Sequence, residues 1–230
     1  MPPLVVFAHG MTAGGSKLKP SYSFTLEAIA SWGMVVLAPL ACPDQWCPAY
    51  PDDIKRAFTD TKNLHDVLKH ADYQHAGVIG HSMGGNAAVR LATLGPSSAY
   101  KLLASVAENP AVMHDPFTRP ERINVPTFFE TGTAETLCPE AGVVEAYNKD
   151  PMHDKVLMDT IGGTHFEETN IGRKRVLPYS VQFLVCHLMD DPKACNYIYG
   201  KGKDSLCTIG NVPYKKCHAL HSMEEKHNEI

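Results

Sequence analysis

The sequence has no apolar run approaching the roughly 20 residues that a membrane span needs, and no basic segment leads into one near its start. Met1-Pro2-Pro3 runs directly into a short apolar stretch, so neither a membrane anchor nor a signal peptide is read from it. The 21 Lys and Arg stand against 25 Asp and Glu, for a net charge of −4, and the basic residues are scattered rather than gathered in a stripe. That excludes the electrostatic footprint of a nucleic-acid binder. No glycine-rich phosphate loop and no dinucleotide fingerprint occurs, so no organic cofactor is implied. Internal repeats and low-complexity linkers are also missing. So is the composition of a disordered chain, since hydrophobic residues make up 44% and charged residues 20%.

What remains is a globular chain of 230 residues, the size of one large domain with one core. Short apolar runs at residues 4–8, 34–38, 77–80, 102–106, 127–131 and 155–161 predict strands buried on both faces. Between them lie helix signals. Phe24, Leu26, Ile29 and Trp32 mark one helix ended by Gly33. Asp52 or Asp53 is placed as the cap of a second, carrying Ile54, Phe58, Leu64, Val67, Leu68 and Ala71 on one side. Further helices are predicted at 83–94, 140–148 and 173–189. Repeated strand-helix alternation implies right-handed crossovers and a mainly parallel sheet with helices on both faces, the α/β class.

Periodicity fades after about residue 190. The chain is therefore divided into a main domain over 1–190 and a cysteine-containing C-terminal appendage over 191–230. Seven cysteines stand at 42, 47, 138, 186, 195, 207 and 217. Four of them crowd a stretch too polar to build its own core, which favours disulfides and an oxidising compartment. An odd count leaves at least one thiol outside any intrachain pair. Cys42 and Cys47 are candidates to close a loop beside Trp46. Cys217, His218, His221 and His227 match no structural zinc spacing well, so no metal site is assigned.

The strongest chemical signal is Gly80-His81-Ser82-Met83-Gly84-Gly85, a G-x-S-x-G between a predicted strand and a predicted helix. In that context the pattern is a nucleophile elbow, a tight turn that lifts a serine above the sheet at the positive end of a helix. A serine needs a base and an orienting acid, which in this architecture follow it in chain order. His165, in Gly162-Gly163-Thr164-His165-Phe166, lies directly after the last predicted strand and is taken as the base. Glu135, in Gly132-Thr133-Ala134-Glu135-Thr136, is favoured as the acid. Glu108 is the main alternative, and Glu130 is expected to point into a sheet face. The backbone N–H of Met83, and that of Met11 in His9-Gly10-Met11-Thr12, are candidate donors to an oxyanion.

These segments together resemble the α/β-hydrolases of the cutinase-like polyesterase group, which includes PET hydrolases, over about residues 3–190. Dienelactone hydrolases and chlorophyllase-like esterases share much of the pattern. The resemblance implies an α/β-hydrolase fold and a cofactor-free serine esterase, with Ser82, Glu135 and His165 as triad and Met11 and Met83 as oxyanion hole. It further implies that Thr12, His81 and Phe166 line the substrate site. The implied substrates are short acyl esters or polyesters, and the implied location is extracellular. The group's usual acid is Asp, so Glu135 is one methylene longer. Some twenty residues separate the strands at 102–106 and 127–131, too few for a helical lid, so an open cleft is expected. Hydrolases of the group carry antiparallel strands before the one that here begins at residue 3 or 4, and those strands are expected to be missing from this reading frame. A non-catalytic binding scaffold on the same fold is the alternative from another class.

Overall fold

A computed structural model describes residues 1–42, 45–95, 97–208 and 213–221. Strand β1 (Pro3–Ala8) lies inside a seven-stranded sheet with β2 (Val35–Leu37), β3 (Asp72–His81), β4 (Leu102–Glu108), β5 (Thr127–Gly132), β6 (Lys155–Thr160) and β7 (Tyr214–Leu220), in the order β2-β1-β3-β4-β5-β6-β7. The first six pair in parallel, and β7 adds to β6 in antiparallel fashion. The mainly parallel sheet read from the sequence is present.

Alternation along each strand divides the core between two faces. Val5 and Phe7 of β1, with Ile79, Val106 and Phe128, pack under helices α1 (Leu18–Ser31), α6 (Leu177–Met189) and α7 (Pro192–Tyr199). Leu4, Val6 and Ala8 point the other way, to α2 (Tyr50–Thr59) and α4 (Met83–Ala92), while Phe129 and Leu157 meet α5 (Glu140–Lys149). Between β4 and β5 the chain forms only single 3₁₀ turns, at Val112–His114 and Pro120–Arg122. No helix roofs the strand ends there, in agreement with the expected open cleft.

Two readings of the second predicted helix are corrected. α2 begins at Tyr50, capped by Ala49 with Pro51 in its first turn, because proline's fixed φ favours a helix start. Asp52 and Asp53 lie inside that first turn. The apolar pattern beyond Thr59 does not continue the helix. It breaks, and a separate single turn, α3 (Asp66–Lys69), leaves Leu64 and Val67 exposed. In α1 the inward residues are Leu18, Tyr22, Thr25 and Ile29, whereas Phe24 and Trp32 face outward.

The segment past residue 190 is woven into the main domain. α7 is held against α6 by the Cys186–Cys195 disulfide, and β7 is held to the preceding turn by Cys207–Cys217. Cys42–Cys47 closes the third bridge, leaving Cys138 as a free, buried thiol. Cys217 is thus not available to a metal, His221 pairs with Asp154 at 2.7 Å, and His227 lies outside the described residues.

Phe183 of α6 meets Phe128 of β5 edge to face at 5.6 Å, both with no exposed surface. Phe183→Ala is expected to lower the free energy of unfolding by about 3–5 kcal/mol, the range for deleting a buried aromatic ring. Urea titration with disulfides intact measures it.

Candidate active site

The site is assembled where β1, β3 and β4 end together. β3 delivers Ser82 in a strained conformation, φ 57° and ψ −116°, at the N-terminus of α4. A side chain is impossible on either side of this turn. A Cβ on Gly80 would lie 2.3 Å from the Gly84 carbonyl oxygen, and one on Gly84 would lie 1.9 Å from that of Ala8. The turn is locked to β4 through the Ser82 N–H, which donates to the Glu108 carbonyl at 2.9 Å, and through the Ala111 N–H, which donates to the Ser82 carbonyl at 3.0 Å. Met83 is the first helical residue, so its backbone N–H belongs to the turn that has no intrahelical acceptor.

His165, in the loop after β6, presents Nδ1 at 2.8 Å from Oε2 of Glu135, in the loop after β5. The two loops are joined through their backbones as well, Ala134 N–H donating to the Gly163 carbonyl at 2.9 Å. Burial would raise the Glu135 carboxyl. The hydrogen bond from His165, the N–H groups of Cys138 and Leu137 and the attraction of the imidazole outweigh it and hold the group below the usual carboxylate range. Ser82 and His165 line the same cleft, with no direct hydrogen bond between their side chains among the described residues.

The other predicted residues fall as follows. Met11 and Thr12 are exposed on the turn after β1, with Thr12 at φ 65°, and both line the cleft. Phe166 lines it half-exposed, edge-on to the His165 ring at 5.4 Å. His81 borders the cleft but is 3% exposed, and its ring is committed internally. The Gly10 N–H donates to the Tyr22 hydroxyl at 3.0 Å, which donates to His81 Nδ1 at 2.8 Å, and His81 Nε2–H donates to the His165 carbonyl at 2.6 Å. Desolvation, then the neighbouring His165, push the His81 imidazole down to about 3, so it stays neutral in the tautomer this chain of bonds requires.

Two participants carried no sequence signal. Tyr22 reads as one more apolar residue of α1, and nothing in the sequence pairs its hydroxyl with Gly10 and His81. Cys138 stands three residues after Glu135 and lines the cleft. Burial, then the nearby Glu135 carboxylate, push its thiol up to about 12 against the pull of the Ser82 hydroxyl, so it is neutral.

His165 pairs with Glu135, whereas Glu108 and Glu130 make no hydrogen bond to it. Both are buried, as is Glu168, and Glu108 has neither carboxyl oxygen hydrogen-bonded. Desolvation holds all three above the ordinary carboxylate range, aided by repulsion from Glu168 at Glu108 and Glu130. Glu168 is raised to about 8 by desolvation against a hydrogen bond from the Val176 N–H, with repulsion from Glu167, which is itself satisfied by Arg175 at 2.7 Å. The cleft itself has a volume of about 720 Å³. Among the described residues no group of three metal-binding side chains converges, and no helix is long and apolar enough to cross a membrane.

No family model matches the chain. It is 28% identical over 201 residues to Cutinase est1 of Thermobifida alba, an alignment that covers 81% of this chain and 64% of that protein. It is 27% identical over 213 residues to Cutinase 1 of Thermobifida cellulosilytica, covering 85% of this chain and 76% of the relative. To the cutinase of Thermobifida fusca it is likewise 27% identical, covering 85% and 66%. The chain therefore spans somewhat less than two-thirds of the first of these relatives.

Two predictions follow from the buried polar groups. Tyr22→Phe strands the Gly10 N–H and His81 Nδ1 and should cost about 1–3 kcal/mol in urea unfolding. For Glu108, a folded-state pKa above the unfolded one means the native protein holds a proton that the unfolded chain has released. Its contribution to stability is present below the ordinary carboxylate range and is lost as pH rises through the raised folded-state pKa. Glu108→Gln should therefore gain stability over the parent at pH 8 relative to pH 5, and an equal difference at both values would contradict this.

Proposed function

We propose that this chain, which belongs to the α/β-hydrolase superfamily, is a serine carboxylic-ester hydrolase of cutinase-like type. The observation that carries the reading is the His165–Glu135 pair at 2.8 Å in the same cleft as a serine held at positive φ on a helix N-terminus. The cutinase relatives support the same class.

In this reading Ser82 Oγ attacks the ester carbonyl as His165 Nε2 takes its proton, and the imidazolium is stabilised by the Glu135 carboxylate at Nδ1. The N–H groups of Met83 and Met11 receive the oxyanion. Collapse expels the alcohol, protonated by His165, and leaves an acyl group on Ser82. His165 then draws a proton from water, which releases the acid and restores the serine. His81 acts at one remove, fixing the His165 backbone and the Gly10 turn to the elbow. Thr12 and Phe166 border the bound ester.

An unroofed cleft lined by Met11, Phe166 and Leu137 suits short acyl esters or a protruding polyester segment better than a substrate that must first displace a lid. Three disulfides favour an oxidising, extracellular setting.

A fluorophosphonate probe separates an esterase from a binding scaffold on this fold. Ser82 Oγ should form a bond to phosphorus as fluoride leaves, giving one label per folded chain by mass spectrometry. Ser82→Ala should abolish labelling and lower nitrophenyl acetate hydrolysis by at least about 10³-fold with an unchanged unfolding transition. Folded wild-type protein that takes no label, or a Ser82→Ala variant with parental turnover, would overturn the assignment.

A further inference from the structure

One wall of the cleft comes from loops that supply nothing to the triad. Trp46 stands in the segment between β2 and α2 closed by the Cys42–Cys47 disulfide, and His114 ends the turn Val112–His114 after β4. Both line the cleft, and their rings meet edge-on with centroids 6.5 Å apart and planes at 69°.

The two loops are held together from below. Arg90 of α4 donates to the Pro48 carbonyl at 3.4 Å and to the Asp115 carboxylate at 3.2 Å, and Asn86 donates to the same carboxylate oxygen at 2.8 Å. Each loop is also tied to the proposed catalytic machinery. His9, at the base of the Met11 turn, has Nε2 at 2.6 Å from the carbonyl oxygen of Ala41, the neighbour of Cys42. His114 Nε2–H donates to the carbonyl of Leu137 at 3.1 Å, in the loop that carries Glu135. The wall thus spans from the oxyanion turn to the acid loop, and its position relative to Ser82 is set by covalent and hydrogen-bonded constraints at both ends.

An aromatic surface that is partly open, apolar and already ordered binds a planar ring with little entropy lost on association. We propose that Trp46, presented by the Cys42–Cys47 loop and braced by His114, is a specificity-determining residue that favours esters carrying an aromatic ring over alkyl esters of similar size. The inference rests on the ester-hydrolase reading above.

Hydrolysis of methyl benzoate and methyl hexanoate, followed by pH-stat, tests it. In Trp46→Ala, kcat/KM for methyl benzoate should fall about tenfold, mostly through KM, while that for methyl hexanoate changes less than about twofold. Trp46→Phe should keep the benzoate value within about threefold, and the double variant Cys42→Ser with Cys47→Ser should narrow the benzoate-to-hexanoate ratio. Equal losses on both esters, or no loss on either, would overturn the proposal.

Binding is read separately. In Trp32→Phe, Ser82→Ala protein, Trp46 is the sole tryptophan, the chain having two. Methyl benzoate should quench its fluorescence saturably and methyl hexanoate much less. Saturable quenching by methyl benzoate in a protein whose wild type hydrolyses neither ester would overturn the esterase reading and leave the aromatic site standing. Absence of saturable quenching would overturn the site.

Discussion

The turn at Ser82 is the constraint from which the rest of the site hangs. β3 runs beside β1 and α4 departs so close to both that Gly80 and Gly84 have no space for a methyl group, and the serine between them takes a backbone conformation that costs about 1–3 kcal/mol. Such strain persists only where the surroundings over-determine it. Here α4 is buried along almost its whole length, and the Ser82 N–H and carbonyl are both bonded to the chain leaving β4. The exits of three adjacent strands are thereby held in one register, so that loops from β1, β5 and β6 converge on a single cleft.

Electrostatics within that cleft depends on where hydrogen-bond donors fall. Four carboxyl groups, on Glu108, Glu130, Glu168 and Glu135, lie within a small volume, and their environments divide them. Glu135 receives His165 and the N–H groups of Leu137 and Cys138, so its charged form prevails. Glu108 receives none, and desolvation favours its neutral form. Two carboxyl groups at neighbouring strand ends are separated in role by their donors, as pairs of titratable groups in enzyme sites commonly are. The imidazole of His81, kept neutral by burial, bonds to the loops on either side of the elbow and carries no charge into the site.

Rigidity spreads outward from this centre through polar side chains whose partners are far apart in the chain. His9 reaches Ala41, Tyr22 reaches His81, and Arg90 and Asn86 reach the loops around Trp46 and His114. The disulfides act at the periphery of the same design, closing one wall loop and fastening α7 and β7 to the main domain.

Much of the fold was legible in the sequence because buried parallel strands are short, apolar and bounded by glycine or charge, and that signal is local. The elbow was legible for the same reason, since a glycine pattern between a strand and a helix encodes its own geometry. Local signals failed where burial is decided elsewhere. Leu64, Val67, Phe24 and Trp32 have the residue types of a core face and lie outside, and Tyr214–Leu220 alternates too weakly to announce the edge strand that β6 makes of it. The sequence by itself determined the class of fold, the strand-end positions of Ser82, Glu135 and His165, and the surplus cysteine. Tertiary structure alone decided that Glu135 rather than Glu108 reaches His165, that Tyr22 joins the Gly10 turn to His81, and that Trp46 meets His114. Each of these is a contact between residues 12 to 68 positions apart in the chain. No local pattern encodes such contacts, because they depend on the distance between strand ends in the assembled sheet.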